Sequence, residues 1–451
     1  MSFFKTSTVC FLLAAVLLLV GCSDGHEVSQ TESPSAETDL SVSTQSETAE
    51  SIQSTQESEE VEQLEHSYMK AVWLSQYDMS PIYLDGGKQR AESSFLSLLK
   101  TVLDNLISDG YNTIIVQVRP FADSFYPSEY YPVSSYVSGA YGTEDIYDPF
   151  SYVVSMAKER GLSVHAWLNP MRGMKVEEID AVDDKYLIKQ WYNDPDKKDD
   201  YLVAFGGRYY LNPAHEEVRK LIADGASEVC SGYEIDGVHI DDYFYPTTDA
   251  SFDAASYADY KQNGGTKSLA DFRYDNINRM VASVYRAVKA VNPELLFGVS
   301  PAGNLNTTYT TLYTDVYTWC SEEGYLDYIC PQIYFGLEHQ TFDFKKVYNT
   351  WRSIIKNKNV KLYVGMTLGK AQSGIDNYAG TGKYEWQNKK DILKRCLEYL
   401  NTQKDCGGVV FFCYQYMYDP LTGKSVAETQ AERENMKEAL ASLGEDHDQL
   451  T

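Results

Sequence analysis

Residues 236–246 read DGVHIDDYFYP, a short apolar run that ends abruptly in two carboxylates, three aromatic residues and a proline. The apolar part, with β-branched side chains after a glycine, is typical of a parallel strand buried on both faces. The polar part that follows predicts the end of that strand. A parallel strand needs parallel neighbours joined by crossover connections, and the rest of the chain has to supply them.

Seven further runs of this kind recur along the chain, separated by stretches with helical spacing. Together they predict eight strands: Ala71–Ser75, Thr113–Val118, Ser163–Leu168, Gly237–Asp241, Leu295–Val299, Tyr328–Ile333, Leu362–Met366 and Val409–Cys413. Eight strand-then-helix units predict an α/β protein with a (β/α)8 TIM barrel. An open doubly wound sheet is the alternative, but it would have fewer strands and often a glycine-rich phosphate loop, which the sequence lacks.

The predicted barrel spans residues 67–443. This exceeds the roughly 250 residues of a minimal barrel, so its loops are expected to be enlarged. The longest connection, between the third and fourth strands, contains a predicted hairpin at residues 201–210 with Gly206 and Gly207 at its turn. Residues 430–443 are predicted to form a closing helix, and residues 444–451 a short tail.

The N-terminus predicts an exported, lipid-anchored chain. Lys5 precedes an apolar run from Val9 to Val20, which is too short for a membrane span and is typical of a signal-peptide core. Residues 19–22 read LVGC and resemble a bacterial lipobox. We therefore expect a signal peptide at residues 1–21 and lipid on the sulfur of Cys22. The alternative is a plain signal peptide cleaved near Gly21.

Residues 22–66 are predicted to tether the barrel to the membrane. From residue 23 onward this segment has 12 Asp or Glu and no Lys or Arg, so it lacks the apolar surface needed to offset its ordering entropy. The chain's net charge of −26 makes it a poor candidate for binding nucleic acid. We expect a monomeric, extracytoplasmic bacterial membrane lipoprotein with no nucleic-acid partner.

The six cysteines after Cys22 form no Cys-x-x-Cys pair, which argues against a zinc ribbon or a redox motif. Most lie in apolar stretches, where cysteine is usually a small core residue. The sequence leaves open a disulfide such as one between Cys396 and Cys406.

Two adjacent carboxylates, Asp241 and Asp242, are the most specific feature at the predicted strand ends, where the active sites of barrels lie. Glycoside cleavage requires an acid and a second carboxylate that acts as nucleophile or base. The alternative is that the pair caps the next element or binds Arg119 or Arg172. Other polar strand-end groups surround the pair, and we therefore favour the catalytic interpretation.

A further catalytic carboxylate is expected from another strand or loop, with Asp123 ranked before Glu338. In this scheme Asp241 is the nucleophile or electrostatic stabiliser, and Asp242 is a base or a supporting residue. Asp123 would then be the proton donor.

Six strand-end residues are predicted to bind substrate: Arg119, Asn169, Tyr243, Gln332, Tyr334 and Tyr414. Planar hydrogen-bonding groups beside aromatic rings suit sugars. Trp73 and Trp167 fit either barrel packing or a sugar platform. His239 is predicted to be a hydrogen-bonded core residue rather than a metal ligand, and no metal or organic cofactor is implied.

Five runs resemble the bacterial glycosyl-hydrolase-like group 10 family: Asn112–Pro120, His165–Pro170, Asp236–Pro246, Phe297–Gly303 and Asp327–Tyr334. The resemblance covers about residues 68–420. It implies a barrel glycosidase of the bacterial envelope that acts on envelope glycans, including peptidoglycan strands without their peptides. It places the family's acidic pair on Asp241 and Asp242, and a less regular acidic position on Asp123.

The chain departs from the family pattern at Phe335, where many members have Trp, and at Asn304 and Leu305, where many have Trp-Arg. These departures imply a different sugar preference nearby. We predict a cell-surface lipoprotein that hydrolyses polysaccharide, and the substrate we favour is the glycan of peptidoglycan. Two alternatives stay open: a non-catalytic glycan-binding lipoprotein and a metal-dependent polysaccharide deacetylase.

Overall fold

Eight parallel strands close into a barrel in the computed structural model, which describes residues 68–444. In chain order, β1–β8 are Met69–Leu74, Thr113–Arg119, Ser163–Leu168, Gly237–Ile240, Leu296–Val299, Tyr328–Ile329, Lys361–Thr367 and Cys406–Phe412. Successive strands pair with one another, and β1 also pairs with β8, which closes the ring. The predicted (β/α)8 barrel is confirmed.

One helix of the outer layer follows each strand. In chain order, α1–α8 are Glu92–Ser108, Pro149–Lys158, Glu216–Gly232, Leu269–Val291, Val316–Trp319, Phe344–Ile354, Ile392–Asn401 and Ala427–Ala441. Shorter helices and turns lie in the loops: Gln76–Tyr83, Ser135–Ser138, Ile179–Ala181, Leu187–Asn193, Ala254–Gln262, Leu305–Leu312, Gly369–Ser373, Gly380–Gly382, Glu385–Asn388 and Tyr414–Tyr416. Helix α8 is the predicted closing helix and begins slightly earlier than expected.

Helix α1 illustrates how the outer helices pack on the barrel. Its residues Phe95, Leu99, Val102 and Leu103 recur at helical spacing and are buried, so they form one apolar stripe. Burial of each such side chain contributes about 1.5–3 kcal/mol. After α1 ends, Gly110 adopts a φ of +88°, a conformation that glycine tolerates, and the chain turns into β2.

The sixth strand is shorter than predicted. Regular pairing stops at Ile329, because Pro331 follows and has no N–H to donate to a ladder. Pairing resumes at Gln332 as isolated bridges to Ala302 and Gly365. The side chain of Gln332 is therefore still presented at the mouth of the barrel, although the strand itself has ended.

The predicted hairpin is present between β3 and α3. Leu202–Phe205 pairs antiparallel with Arg208–Leu211, and Gly206 and Gly207 turn the chain with φ values of +57° and +80°. A third strand, Arg172–Lys175, follows β3 and pairs with the second strand of the hairpin. This small sheet brings the segment after β3 next to residues more than thirty positions later in the chain.

A hydrogen-bonded aromatic cluster fills the interior of the barrel. The Trp73 indole N–H donates to His239 Nε2 over 3.1 Å, and the Tyr328 hydroxyl lies 3.0 Å from His239 Nδ1 and 3.1 Å from His165 Nδ1. Burial lowers the pKa of both histidines, so both are neutral at pH 7. The prediction that His239 is a core residue is confirmed.

The six cysteines of the barrel are all buried and carry free thiols, so the disulfide left open by the sequence does not form between Cys396 and Cys406. None of the helices within residues 68–444 is both long and apolar enough to span a bilayer. The predicted signal peptide, Cys22, the tether and nearly all of the tail lie outside the described residues.

Candidate active site

A cleft with an empty volume of about 740 Å³ opens where the carboxyl ends of the strands meet. This volume is typical of small-molecule and sugar sites. Carboxylate, amide, guanidinium and aromatic side chains line it: Trp73, Ser75, Gln76, Tyr77, Gln117, Trp167, Arg172, Asp241, Asp242, Tyr243, Ser300, Gln332, Tyr334 and Phe412. The two carboxylates of this lining are the adjacent pair that the sequence singled out.

Asp241 directly follows β4 and is buried, with only 3% of its surface exposed. Its Oδ1 accepts the backbone N–H of Tyr243 over 3.1 Å, and its Oδ2 accepts Asn169 Nδ2–H over 2.6 Å. Both oxygens therefore receive a hydrogen bond from the protein. This arrangement holds the carboxylate in one orientation at the floor of the cleft.

A chain of amide groups fixes the direction of the hydrogen bond to Asp241. The backbone N–H of Gln76 donates to Gln117 Oε1 over 2.8 Å, and Gln117 Nε2 donates to Asn169 Oδ1 over 2.7 Å. A backbone N–H can only donate, so neither amide can be turned around without placing two donors face to face. Asn169 must therefore present a donor to Asp241, which favours the ionised carboxylate.

Asp242 is less enclosed than Asp241 and points to the cleft. The side chain of Gln332 hydrogen-bonds to it, while Gln332 Nε2 also donates to the Ser300 carbonyl over 3.0 Å. Tyr334 lies close by, and burial together with the charge of Asp242 raises the pKa of its phenol. Asp242 is thus the more accessible carboxyl group of the pair, although both line the cleft.

Burial raises the pKa of both carboxyls, and the nearby charge of Asp242 raises the pKa of Asp241 further. The Arg172 guanidinium opposes both rises, and so do the hydrogen bonds from Tyr243, Asn169 and Gln332. Two like charges on adjacent buried residues favour a state in which the pair shares one proton. The charge of Asp242 favours the protonated form of Asp241, whereas the hydrogen bonds from Asn169 and Tyr243 favour its ionised form.

Most of the predicted site residues meet in this cleft. Asp241, Asp242, Tyr243, Gln332 and Tyr334 all line it. Asn169 lies behind the cleft and acts through Asp241 rather than on a ligand directly. Trp73 and Trp167, whose role the sequence left open, both line the cleft.

The predicted proton donor, Asp123, is not in the cleft. Its side chain is fully buried, its Oδ1 accepts the Phe121 backbone N–H and its Oδ2 accepts the Tyr141 hydroxyl, both over 2.8 Å. Ala122, between Phe121 and Asp123, has a φ of +53°, which is unusual for a residue other than glycine. Asp123 therefore holds a tight turn after β2, and burial raises the pKa of its carboxyl.

Arg119, which was predicted to bind substrate or alternatively to pair with the aspartates, lies outside the cleft lining. The pairing of β2 with β3 shifts register between Gln117 and Arg119, and this bulge turns the arginine away from the barrel interior. Its guanidinium stacks 4.4 Å from the ring centroid of Tyr131, next to α3. The arginine near the carboxylates is Arg172, which the sequence suggested only as an alternative partner.

Two other candidates also lie elsewhere. Tyr414 is buried among the outer helices, and its hydroxyl accepts Asn105 Nδ2–H over 3.0 Å, so the aromatic residue of β8 that lines the cleft is Phe412. Glu338, the second choice for a further carboxylate, is exposed and forms an ion pair with Lys389.

Sequence reasoning missed Gln117 and Asp78. A glutamine inside an apolar strand needs partners, as argued for Gln332, and the same argument would have found Gln117. Asp78 accepts the backbone N–H and the hydroxyl of Ser75 and the backbone N–H of Gln415, each over 2.6 Å. It joins the ends of β1 and β8 beneath the cleft, and burial raises its pKa to about 6.

The residues from 68 to 444 contain no group of three or more His, Cys, Asp or Glu side chains arranged to hold a metal ion. The arrangement that is present, an acidic pair within aromatic walls, provides a proton, a fixed negative charge and flat apolar surfaces. These are the elements that acid/base cleavage of a sugar bond requires.

Several proteins resemble the chain in sequence. Glycosyl hydrolase DigH of Escherichia coli (strain K12) is 29% identical over 395 residues, which are 80% of this chain and 87% of DigH. Glycosyl hydrolase YngK of Bacillus subtilis (strain 168) is 34% identical over 293 residues, or 61% of this chain. The chain spans 56% of the length of YngK.

Solved structures share the fold. The glycoside hydrolase domain of PgaB (BpsB) from Bordetella bronchiseptica superposes with a TM-score of 0.50 at 11% identity, covering 82% of this chain and 99% of that domain. The β-galactosidase from Rahnella sp. R3 superposes with a TM-score of 0.53 at 15% identity, covering 84% of this chain and 57% of that protein. The family profile described as Glycosyl hydrolase-like 10 matches residues 68–379. The chain therefore belongs to the glycosyl hydrolase-like 10 family.

Proposed function

We propose that this protein hydrolyses glycosidic bonds in a polysaccharide, with Asp241 and Asp242 as its catalytic pair. The observation that carries the proposal is the fixed orientation of Asp241, whose two oxygens accept hydrogen bonds from Tyr243 and Asn169 at the floor of the cleft. Family membership and the relatives named glycosyl hydrolase support the same reaction class.

The proposed reaction uses the two carboxyls differently. Asp242 donates its proton to the glycosidic oxygen as the bond from that oxygen to the anomeric carbon breaks. The positive charge that develops on the sugar ring is stabilised by the ionised Asp241. The hydroxide part of a water molecule ends on the anomeric carbon, and the remaining proton returns to Asp242, so the enzyme is regenerated.

The walls of the cleft support a sugar polymer as substrate. The rings of Trp73, Trp167 and Tyr243 offer flat apolar surfaces, and Gln332 and Tyr334 offer hydrogen-bonding groups. The Trp167 indole N–H has no hydrogen-bond partner among the described residues, so it is available to a hydroxyl group of the ligand. We take peptide-free peptidoglycan strands as the substrate, as the family resemblance implies.

We also propose that Cys22 carries lipid and anchors the protein to the outer face of a bacterial membrane. This proposal rests on the apolar run, the LVGC sequence and the acidic segment that follows them. Replacement of Cys22 by Ala is expected to prevent incorporation of labelled palmitate and to move the protein from the membrane fraction to the soluble fraction. A variant that stays in the membrane fraction without the label would contradict the anchor.

The reaction is tested by product release from peptide-free peptidoglycan strands and from a panel of other polysaccharides. The full-length protein is expected to cleave the strands, and Asp241→Asn is expected to lower kcat at least a thousandfold. Asp145→Asn, which changes an exposed aspartate outside the cleft lining, serves as the matched control.

The outcomes separate the candidate functions. Cleavage of a different polymer by the parent protein would support the hydrolase proposal and contradict peptidoglycan as its substrate. Binding without cleavage of any polymer would favour a glycan-binding protein instead. Equal activity of the parent and Asp241→Asn would remove Asp241 from the mechanism.

A further inference from the structure

Two arginine side chains share one aromatic ring at the edge of the cleft. The guanidinium carbon of Arg172 lies 4.8 Å from the centroid of the Phe121 ring, and that of Arg208 lies 4.2 Å from the same centroid. Arg172 also lies over the ring of Tyr243, at 4.3 Å, and lines the cleft. Arg172 therefore lies beside the proposed catalytic carboxylates, and Arg208 packs on the same aromatic ring outside the cleft lining.

The small sheet beside β3 brings Arg172 and Arg208 to the same aromatic ring. Arg172 begins the strand that pairs with Arg208–Leu211, with Arg172 opposite Tyr210 and Lys175 opposite Arg208. Arg208 Nη1 lies 3.4 Å from the Gly173 carbonyl, which orients its side chain back toward Arg172. Phe121, the shared ring, is buried, and Asp123 binds its backbone N–H.

No carboxylate within the described residues forms an ion pair with Arg172 or Arg208. Most other arginines of the barrel do, for example Arg273 with Asp253 and Arg352 with Asp405. The Arg172 Nε atom is buried and has no hydrogen-bond partner within the described part of the chain. Arg172 thus lines the cleft near Asp241 and Asp242 without a direct ion pair, and its guanidinium can bind an anionic group of a ligand.

We infer that Arg172, supported by the positive charge of Arg208, binds a carboxylate carried by a sugar of the substrate, and that the protein therefore selects acidic glycans over neutral ones. The inference rests on the proposed glycosidase function and adds the chemical class of its substrate. A guanidinium fork matches the geometry of a carboxylate, and stacking on Phe121 and Tyr243 fixes the plane of that fork. Arg172 makes the direct contact, and Arg208 strengthens the positive potential.

Arg172 also opposes the pKa rises of Asp241 and Asp242, so it could act on the catalytic pair alone. Arg208 separates the two roles, because it lies outside the cleft lining, whereas Arg172 lines the cleft beside both carboxyls. An effect of Arg208 on acidic substrates alone would therefore come from substrate binding.

The test compares peptide-free peptidoglycan strands with the same strands after chemical reduction of their carboxyl groups to alcohols. The full-length protein is expected to show a kcat/KM about tenfold or more higher for the acidic strands. Arg172→Gln is expected to abolish this preference, and Arg208→Gln to reduce it a few-fold through KM without changing the pH profile. Arg286→Gln, on the exposed face of α4, is the matched control.

Arg172→Lys adds a second check, because lysine keeps the charge but lacks the fork. It is expected to preserve the pH profile while losing most of the preference for acidic strands. An unchanged acidic-to-neutral ratio in Arg172→Gln and Arg208→Gln would overturn the inference and leave Arg172 as a partner of the catalytic pair.

Failure of the inference and failure of the proposed function give different results. If the parent protein cleaves neither type of strand, the hydrolase proposal fails. Equilibrium binding of the acidic and reduced strands to the parent and to both arginine variants then still decides whether a carboxylate is recognised. Equal affinity of the parent for the two strands would overturn the inference.

Discussion

At the scale of single residues, the two buried aspartates Asp241 and Asp123 show that burial alone does not define a role. Both carboxyls have a raised pKa because burial disfavours their charged form. Asp241 lines the cleft and has a second carboxyl beside it, whereas Asp123 lies outside the cleft lining and binds a backbone N–H, a tyrosine hydroxyl and the Ser134 side chain. Access to a ligand, not the pKa shift, separates the catalytic candidate from the structural one.

Asp123→Asn provides a direct test of this distinction. Asparagine can accept from Phe121 N–H and donate to the Tyr141 hydroxyl, so we expect kcat to stay within a few-fold of the parent. The folded-state pKa of Asp123 is raised, so its stabilising contribution is complete below the unfolded value near 3.8 and is lost as pH rises through the folded value.

The stability of Asp123→Asn relative to the parent should therefore increase from pH 4 toward neutral pH. Urea unfolding of both proteins at several pH values measures this difference. A large loss of kcat with unchanged folding would restore Asp123 as a proton donor.

Asn169 is the opposite case. It lies outside the cleft lining, yet it hydrogen-bonds to Asp241, which lines the cleft. Asn169→Ala removes the hydrogen bond to Asp241 Oδ2 and leaves Gln117 Nε2 without its acceptor. Loss of that donor raises the pKa of Asp241 further, so the acidic limb of the pH–rate profile should move to higher pH. We expect kcat to fall about tenfold to a hundredfold.

The pH–rate profile is the deciding measurement for Asn169, because a purely structural role would not move its acidic limb. Asn263→Ala, at an exposed asparagine beyond the cleft lining, should leave both kcat and the profile unchanged. An unchanged profile in Asn169→Ala would show that the amide chain does not tune Asp241.

At the scale of elements, the close contact between α3 and β2 depends on one glycine. Gly225 lies in α3, and a Cβ at this position would come within 2.0 Å of Arg119 Nη1 and 2.5 Å of the Tyr131 ring. The bulge that turns Arg119 outward is therefore accommodated by a glycine on the facing helix. The bulge in β2 and the glycine in α3 together allow these two elements to pack closely.

Gly225→Ala is expected to lower the free energy of unfolding by about 1–3 kcal/mol, because the core there has no space for a methyl group. Gly232→Ala, at the end of the same helix with open space around it, should be neutral or slightly stabilising. Thermal or urea unfolding of both variants measures the contrast. Equal stability of the two variants would contradict the packing argument.

At the scale of the whole molecule, we predict that the barrel needs nothing from residues 1–66. The described residues from 68 onward contain the closed sheet and its surrounding helices, while residues 23–66 have little apolar surface to contribute. A chain that begins at residue 67 should unfold at the same temperature as the full-length protein and cleave the same strands. A lower unfolding temperature would show that the N-terminal segment stabilises the barrel.

Much of this molecule follows from its sequence alone. Apolar runs such as the one before Asp241 predict all eight strands, because strands buried on both faces of a parallel sheet have to be apolar throughout. The Asp241–Asp242 pair could be found for a related reason, since carboxylates directly after such a run are costly unless they have a use. The hairpin at Gly206 and Gly207 was equally predictable, because its turn requires positive φ.

The tertiary structure alone decided where the side chains beyond each strand end point. Arg119 ends its strand, and Asp123 and Tyr414 follow theirs as Asp241 does, yet a bulge, a tight turn and a short helix direct these three side chains away from the cleft. Arg172 and Arg208 meet only because two distant strands pair. Strand formation depends on local periodicity, whereas side-chain direction at a strand end depends on contacts with residues far along the chain, which local patterns do not encode.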